Sequence, residues 1–225
     1  MPAATLTGYE ALSRPFRYVL EYYPDEPPEL AALIGKPYTV RLPMPDGSTR
    51  PLTGIVFRAE QGPSTVRSAR YTLELRPWFL RLDQERTCAV FQNMSVPEIV
   101  TKVCTDAGFG HIRNALSSTY PAKEYTVRYG ETSFAFLSRL MAEAGIVYFF
   151  EHSGSAHTLV MADSPDVFAD CPQGATLEWL PDAQDKEGGP PTEPSAHVFE
   201  LSLSRQVAAA SCSVDDYNPL TPETS

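Results

Sequence analysis

Hydrophobic and polar positions alternate with a period of two through most of the first ninety residues. Phe16, Tyr18 and Leu20 share one side of a predicted strand, and the prolines from residue 24 onward end it because proline cannot donate to a ladder. The same alternation returns at 38–42, 52–59 and 71–80. Short, evenly spaced strands of this kind are typical of a small β-barrel or sandwich.

The period changes from two to 3.6 at Ser95. Ser95 and Glu98 have the spacing of a capping box, and apolar residues then recur every three or four positions as far as Gly108. A second helix is predicted over 134–144, because Gly145 follows it where the chain must accept a positive φ. The two predicted helices add an α+β unit to the β-rich first part of the chain.

Strands are predicted on both sides of the second helix. Tyr125, Val127 and Tyr129 alternate with polar residues, which predicts a strand with these three side chains on its buried face. Two short apolar runs, 146–151 and 157–162, are separated by the sequence HSGSA, whose glycine and serines favour a hairpin turn. The pattern therefore predicts strand, helix and hairpin in under forty residues.

Residues with catalytic or metal-binding potential are few. His152 and His157 lie beside Glu151 across the hairpin turn, which allows a metal-site hypothesis. The spacing lacks the i, i+4 arrangement of helical zinc motifs, so we expect solvated imidazoles at a turn. The four cysteines lie far apart, without the spacing of a zinc site or a disulfide framework. The sequence predicts no catalytic residue, no cofactor and no metal.

The net charge of the chain and the length of its apolar runs argue against nucleic acids and membranes as partners. A net charge of -10 argues against nucleic-acid binding, which depends on lysine and arginine neutralising phosphates. The longest wholly apolar run, 146–150, is far shorter than the ~18 to 20 residues of a membrane span, so no stable membrane insertion is expected. The start of the chain lacks the features of a signal peptide. Residues 181–195 are rich in proline, glycine and charge, which predicts a linker.

Three stretches carry motifs that go beyond periodicity. Residues 71–80 read YTLELRPWFL, residues 91–93 read FQN, and residues 125–162 contain ETSFAFLSRL followed by GIVYFFEH. The motif residues, to which we assign structural roles, are Arg76, Pro77, Trp78, Phe91, Gln92, Tyr129, Phe134, Phe136, Leu137, Gly145, Tyr148, Phe149 and Phe150. Together with the opening strands at 12–23, these motifs resemble the N-terminal hub region of VgrG proteins, the spike of type VI secretion systems.

The resemblance implies an α+β fold like that of contractile phage tail baseplate hubs. It places a β-barrel tube domain at 1–90, an inserted α+β domain at 91–180, the linker at 181–195 and the incomplete opening strands of a second, similar barrel at 196–225. It also implies a non-enzymatic homotrimer whose pseudo-sixfold ring caps the hexameric tube of Hcp protein, with effectors or adaptors as further partners. Such a protein assembles in the bacterial cytoplasm and is secreted by the type VI machinery without a signal peptide.

Two alternatives stay open at this point. The first is a barrel that binds a carbohydrate or a peptide on its own, with Trp78 or Trp179 as a stacking platform. A closed pocket with convergent aromatic and polar groups favours this reading. The second is the non-catalytic part of an enzyme that carries its effector activity outside this segment.

Overall fold

A computed structural model describes residues 4–44, 47–64, 69–168, 178–179, 197–198, 200–205, 207 and 211. The chain divides into two compact units, Met1–Asp170 and Cys171–Ser225. The first unit is mostly β, with few helices. The domain boundaries predicted at residues 90 and 180 stay a prediction, and the predicted linker at 181–195 lies outside the described residues.

Strands between residues 4 and 76 form a five-stranded antiparallel sheet, curled into a half-barrel, in the order β1-β2-β5-β4-β3. Its strands are β1 (Ala4–Ala11), β2 (Arg14–Tyr22), β3 (Pro37–Pro43), β4 (Thr49–Ser64) and β5 (Ala69–Arg76), with the single-turn helix α1 (Leu30–Leu33) between β2 and β3. The predicted alternation is confirmed on β5, where Tyr71, Leu73 and Leu75 are buried. Register shifts interrupt the β1–β2 and β4–β5 ladders, and bulges of this kind locally increase the twist of a sheet.

A second group of elements follows β5. In chain order it contains a 3₁₀ helix (Trp78–Asp83), β6 (Arg86–Met94), α2 (Val96–Asp106), β7 (Ile112–Ala115), β8 (Lys123–Thr132), α3 (Ser133–Glu143), β9 (Val147–Ser153), β10 (Ala156–Ala162) and a second 3₁₀ helix (Pro165–Val167). Strands β6 and β8 form a two-stranded antiparallel sheet. The predicted hairpin is confirmed as β9 and β10, and β7 adds to it in parallel with β10.

Both predicted helices are confirmed to within a residue or two, because their ends carry strong local signals. At the start of α2, the Glu98 carboxylate accepts a hydrogen bond from the backbone N–H of Ser95 at 2.7 Å. At the end of α3, Gly145 has φ 70°, and the N–H of Ile146 reaches back to the carbonyl of Met141 at 2.8 Å. None of the helices in the described ranges is long and apolar enough to cross a membrane.

The orientation predicted for β8 is wrong. Tyr125, Val127 and Tyr129 are exposed, with 83% of Tyr129 accessible, whereas Thr126 between them is buried. The partner strand causes this inversion. Phe91 of β6 is buried and pairs with Thr126, and paired residues of a ladder share a face. The aromatic side of β8 therefore points outward. Alternation within one strand shows that its two faces differ, but only the pairing with β6 decides which face is buried.

Thr132 connects the end of β8 to α3 and is a sensitive point of this group. Its hydroxyl oxygen accepts from the backbone N–H of Ala135 at 3.1 Å, and its O–H donates to Asp83 at 2.6 Å. We expect Thr132→Ala to lower the free energy of unfolding by about 1–2 kcal/mol, because a buried cap and a hydrogen bond to a carboxylate are lost together. Urea unfolding measures this, with the exposed Thr105→Ala as the control. Equal stability of the two variants would contradict the assignment.

The second unit is described at a few positions only. Two short strands, β11 (Glu178–Trp179) and β12 (His197–Val198), pair in parallel. The opening strands of a second barrel expected at 196–225 fall mostly outside the described residues. Of the described ones, 200–205 form no strand, and Leu201 and Leu203 are exposed. Trp179, considered above as a stacking platform, is about half exposed.

Candidate functional site

The motif Arg76-Pro77-Trp78 lies where β5 ends. Pro77 is extended, with φ -68°, and leads directly into the first 3₁₀ helix. The Trp78 ring is buried and stacks on Phe109, with 4.8 Å between ring centroids. The backbone N–H of Trp78 donates to Nε2 of His157 at 2.9 Å. Trp78 is therefore a core anchor that ties the end of β5 to the β9–β10 hairpin, rather than an open stacking platform.

Arg76 takes part in an ion-pair triad on the five-stranded sheet. Glu74 accepts from Arg76 Nε at 2.7 Å and from Arg17 Nη2 at 2.9 Å. Burial alone raises the pKa of the Glu74 carboxyl, but the hydrogen bonds from Arg17 and Arg76 outweigh it and hold that pKa below its ordinary value. This triad links the neighbouring strands β2 and β5.

His152 lies in a hydrogen-bonded chain between the hairpin and the five-stranded sheet. Its Nδ1 accepts from the backbone N–H of Thr53 at 3.1 Å, so the proton of the neutral ring resides on Nε2. Nε2 lies 3.0 Å from the Tyr18 hydroxyl, which in turn donates to the Glu10 carboxylate. Burial lowers the pKa of His152, and burial together with the Glu10 bond raises the pKa of Tyr18.

His157 is the more deeply buried of the two imidazoles, with 5% of its surface exposed. Burial, and then the nearby His152 and His111, lower its pKa to about 3. The expectation of solvated turn histidines is therefore wrong. His152 and His157 pair across β9 and β10 and share the hairpin face that packs against the sheet, where both accept hydrogen bonds from backbone N–H groups.

Phe16 joins these groups. Its ring centroid lies 4.6 Å from that of Tyr18, 5.2 Å from Phe150 and 5.4 Å from His157, and the residue is almost fully buried. We call this set the aromatic–histidine junction, made of Phe16, Tyr18, Trp78, Phe150, His152 and His157. Alternation within β2 marked Phe16 as a core residue, but its contacts with the hairpin arise between segments over 130 residues apart and leave no local signal.

The other buried motif residues lie in the core between the 3₁₀ helix, α2 and α3. Phe136 and Leu137 are fully buried on α3, and Phe136 stacks on Phe91 at 5.4 Å. Tyr148 and Phe134 place their rings 5.3 and 5.2 Å from that of Phe79. The family motif thus marks the centre of a hydrophobic core and not a group of reacting residues.

The remaining motif residues lie near the surface. Gln92 and Tyr129 are exposed on the sheet formed by β6 and β8, and Gly145 ends α3. Phe149 is partly buried and contacts Phe168, with 5.2 Å between ring centroids. The structure does not bring these side chains to one site.

A small cavity of about 300 Å³ lies beside the aromatic–histidine junction. Aromatic rings supply most of its wall, and the carboxylate of Glu10 and the imidazole of His152 supply its polar groups. The apolar lining residues are Ala11, Leu12, Phe16, Phe149, Phe150 and Phe168. The cavity has the composition of a site for one apolar side chain with a polar neighbour.

The chemistry available at the junction is limited. Within the parts of the chain that the structure describes, no three histidine, cysteine, aspartate or glutamate side chains gather as a metal site would require. The acceptor nitrogens of both histidines already bind backbone N–H groups. Away from the junction, on α2, burial raises the pKa of Cys104 to about 12, and a neutral thiol of this kind is inert. The arrangement is suited to hold two sheets together.

Comparisons with known proteins agree with the predicted resemblance. Residues 9–225 match the family model described as phage tail baseplate hub (GPD). The chain is 37% identical over 214 residues to the type VI secretion system spike protein VgrG1b of Pseudomonas aeruginosa, and 38% identical over 226 residues to VgrG1c of the same organism. These alignments cover 95% and 97% of the chain but only 28% and 30% of the two relatives.

Among solved structures, the fold resembles that of the Escherichia coli protein c3393, with a TM-score of 0.67 and 25% identity. The match covers 81% of this chain and 51% of c3393, which is described as a type VI secretion component similar in structure to the T4 bacteriophage tail proteins gp27 and gp5. The predicted VgrG resemblance is thus confirmed. With a family model that matches nearly its whole length, the chain belongs to the phage tail baseplate hub (GPD) family.

Proposed function

We propose that the chain is a non-enzymatic structural subunit, the hub portion of a type VI secretion spike. Three copies assemble into a ring in which each complete chain supplies two similar barrels, so that a threefold spike meets a sixfold Hcp-like tube without a symmetry mismatch. Contraction force passes through this ring to the tip and to the effectors or adaptors it carries. The protein assembles in the cytoplasm and leaves by the type VI machinery itself.

The observation that carries this proposal is the hub-family match over residues 9–225. Two features of the structure support it. The five-stranded sheet is curled into a half-barrel, as a tube wall requires. The aromatic–histidine junction connects that sheet to the β9–β10 hairpin through buried rings and backbone hydrogen bonds. A mechanical subunit needs such rigid packing more than it needs reactive side chains. In this proposal, residues 1–90 form the tube domain and residues 91–180 the inserted α+β domain.

Light scattering and electron microscopy of the 225-residue chain test the proposal. We expect a mass about three times 24.8 kDa and ring-shaped class averages, with further stacking when a hexameric Hcp-like tube protein is added. A chain that stays monomeric at high concentration and does not bind the tube protein contradicts the assembly. Hydrolysis of peptidoglycan by the chain contradicts the non-enzymatic role.

The cavity lined by Phe16 and Phe149 favours a second candidate function, the binding of a peptide or a carbohydrate. Its aromatic wall and the nearby Glu10 carboxylate meet the criterion of convergent apolar and polar groups. NMR titration with a tryptophan-containing peptide and with a chitin oligosaccharide separates this function from the hub. Saturable chemical-shift changes confined to the cavity residues favour ligand binding. If no such changes occur, this second function is contradicted and the hub proposal is unaffected.

A further inference from the structure

A cleft of about 630 Å³ runs beside β6, and Arg128 of β8 and Ser133 of α3 contribute to its lining. Side chains from both faces of β6 reach it, because Ala89 and Phe91 point inward whereas Val90 points outward. The opposite wall comes from the end of the first 3₁₀ helix and from the last turns of α2. The cleft therefore runs along residues 87–91 of β6 and is bounded by three further elements, the 3₁₀ helix, α2 and β8.

The edge of β6 that does not pair with β8 is open. Among the residues that the structure describes, β8 is the only strand paired with β6, and no backbone hydrogen bond from a loop covers its other side. Natural edge strands are usually blocked by lysine, proline or a bulge. The register shifts between Thr87 and Ala89, where the additional residue belongs to β8, and Asn93 has a positive φ. Residues 89–92 of β6 read AVFQ and contain neither lysine nor proline.

Two arginines give the cleft positive charge. Arg128 donates to Ser133 and lies over the Phe136 ring, and its Nε is buried without a hydrogen-bond partner among the described residues. Arg81 lies 5.7 Å from the centroid of Phe109. Neither arginine forms an ion pair with a carboxylate of the described residues.

Besides the two arginines, the cleft is lined by one further basic and two acidic side chains, and two of these three form an ion pair. Lys102 pairs with Asp106 at 2.9 Å, which leaves Glu85 as the one acidic lining residue outside that pair in the described cleft. In a chain with a net charge of -10, two arginines without carboxylate partners form a local site for an anion.

We propose that the open edge of β6 accepts an extended, acidic segment of a partner protein as an added strand. Backbone hydrogen bonds to residues 89–92 supply the pairing, and alternate side chains of the segment face opposite sides of the sheet. On the inner side a carboxylate meets Arg81 and Arg128 in the cleft. On the outer side an apolar side chain covers Val90, which is 52% exposed beside the exposed Val127.

The partner of this surface is thus a strand that alternates apolar and acidic residues. The inference goes beyond the proposed hub function and does not depend on it, since ring assembly and strand addition are measured separately. A monomeric chain that binds the strand would contradict the ring alone. A trimeric chain that does not bind the strand would contradict this inference alone.

The probe is an acetylated and amidated heptapeptide that alternates valine with glutamate, titrated into the 225-residue chain. NMR hydrogen exchange is expected to show new protection at alternate amides within residues 89–92. A peptide with lysine in place of glutamate tests the charge, and one with a central proline tests the backbone pairing. Both control peptides are expected to bind at least tenfold more weakly.

Variants of the protein locate the carboxylate. We expect Arg81→Gln and Arg128→Gln each to weaken binding of the glutamate peptide about tenfold, because each removes a charge-assisted hydrogen bond. Arg113→Gln is the matched control, since Arg113 lies on β7 and pairs with Glu151. Binding by this control is expected to equal that of the unaltered chain.

Four outcomes overturn the proposal. The first is no binding of the glutamate peptide. The second is equal binding of the lysine peptide, and the third is protection of β8 amides in place of those of β6. The fourth is protection at residues 89–92 that grows with protein concentration alone, which assigns the edge to a second copy of the chain.

Discussion

Replacing Phe16 with alanine is expected to lower the free energy of unfolding of the first unit by about 3–5 kcal/mol. The ring is 2% exposed and contacts both the five-stranded sheet and the β9–β10 hairpin. Its removal therefore leaves a cavity between these two elements, which cannot both move to fill it. Loss of Phe16 also removes an edge-to-face contact with His157. Phe16 thus contacts four of the other five members of the junction: Tyr18, Phe150, His152 and His157.

Urea unfolding followed by tryptophan fluorescence measures the effect. Trp78 is buried in the first unit and Trp179 is about half exposed, so the change in emission on unfolding comes mainly from Trp78. Tyr129→Ala is the matched control, an aromatic truncation at a position that is 83% exposed, and we expect it to change stability by less than about 0.5 kcal/mol. If the two variants unfold at the same urea concentration, the junction does not hold the sheets together.

The sequence predicted well those elements whose signals are local. The start of α2 follows from Ser95 and Glu98, and the end of α3 follows from Gly145, because capping and positive φ involve neighbours in the chain. The β9–β10 hairpin follows in the same way from its turn residues. These interactions depend on residues within a few positions of one another, so the sequence patterns that specify them can be recognised without knowledge of the tertiary structure.

Features that depend on distant partners were missed or inverted. The face of β8 is decided by its pairing with β6, and β7 exists because four residues find β10 as a parallel neighbour. The burial of His152 and His157 depends on packing of the hairpin against Thr53, Tyr18 and Trp78. In each case the deciding contact joins segments that are far apart in sequence, where periodicity within one strand carries no information.

The candidate site, too, was predicted only in part from the sequence. Motif resemblance identified Trp78, Phe136 and Tyr148, which are indeed buried anchors, but it grouped them with the exposed Gln92 and Tyr129. A motif records which residues recur in a family and not whether they serve packing or a surface. The structure separates the two roles, and it assigns Gln92 and Tyr129 to the sheet of β6 and β8, which also contributes residues to the arginine cleft.

The stability of the first unit is expected to fall as the solution becomes acidic, starting below pH 6.5, because its buried histidines must remain neutral. The pKa of His157 is about 3 in the folded chain against an ordinary value of 6.5, so below pH 6.5 the unfolded chain binds more protons than the folded one. The stabilisation is complete above pH 6.5 and is lost as the pH falls toward 3. His152, whose pKa is also lowered, acts in the same direction.

Between pH 8 and pH 5 this linkage amounts to about 2 kcal/mol for His157. Carboxylates with lowered pKa, such as Glu74 and Glu98, lose their contribution only below their ordinary value of 4.5, so this window isolates the histidines. In His157→Gln, a side-chain oxygen replaces Nε2 as the acceptor for the Trp78 N–H and does not titrate. We expect its stability to change by about 2 kcal/mol less over the same range.

The measurement is the urea midpoint at each pH for the unaltered chain, for His157→Gln and for the control His111→Gln, whose histidine is exposed. The control is expected to stay close to the unaltered chain, because burial, and not the smaller influence of His111, is the main cause of the lowered pKa of His157. Parallel curves for all three proteins would show that His157 is protonated as easily in the folded as in the unfolded state. A buried imidazole that accepts a backbone hydrogen bond does not permit that, so parallel curves would also contradict the packing of the hairpin on the sheet.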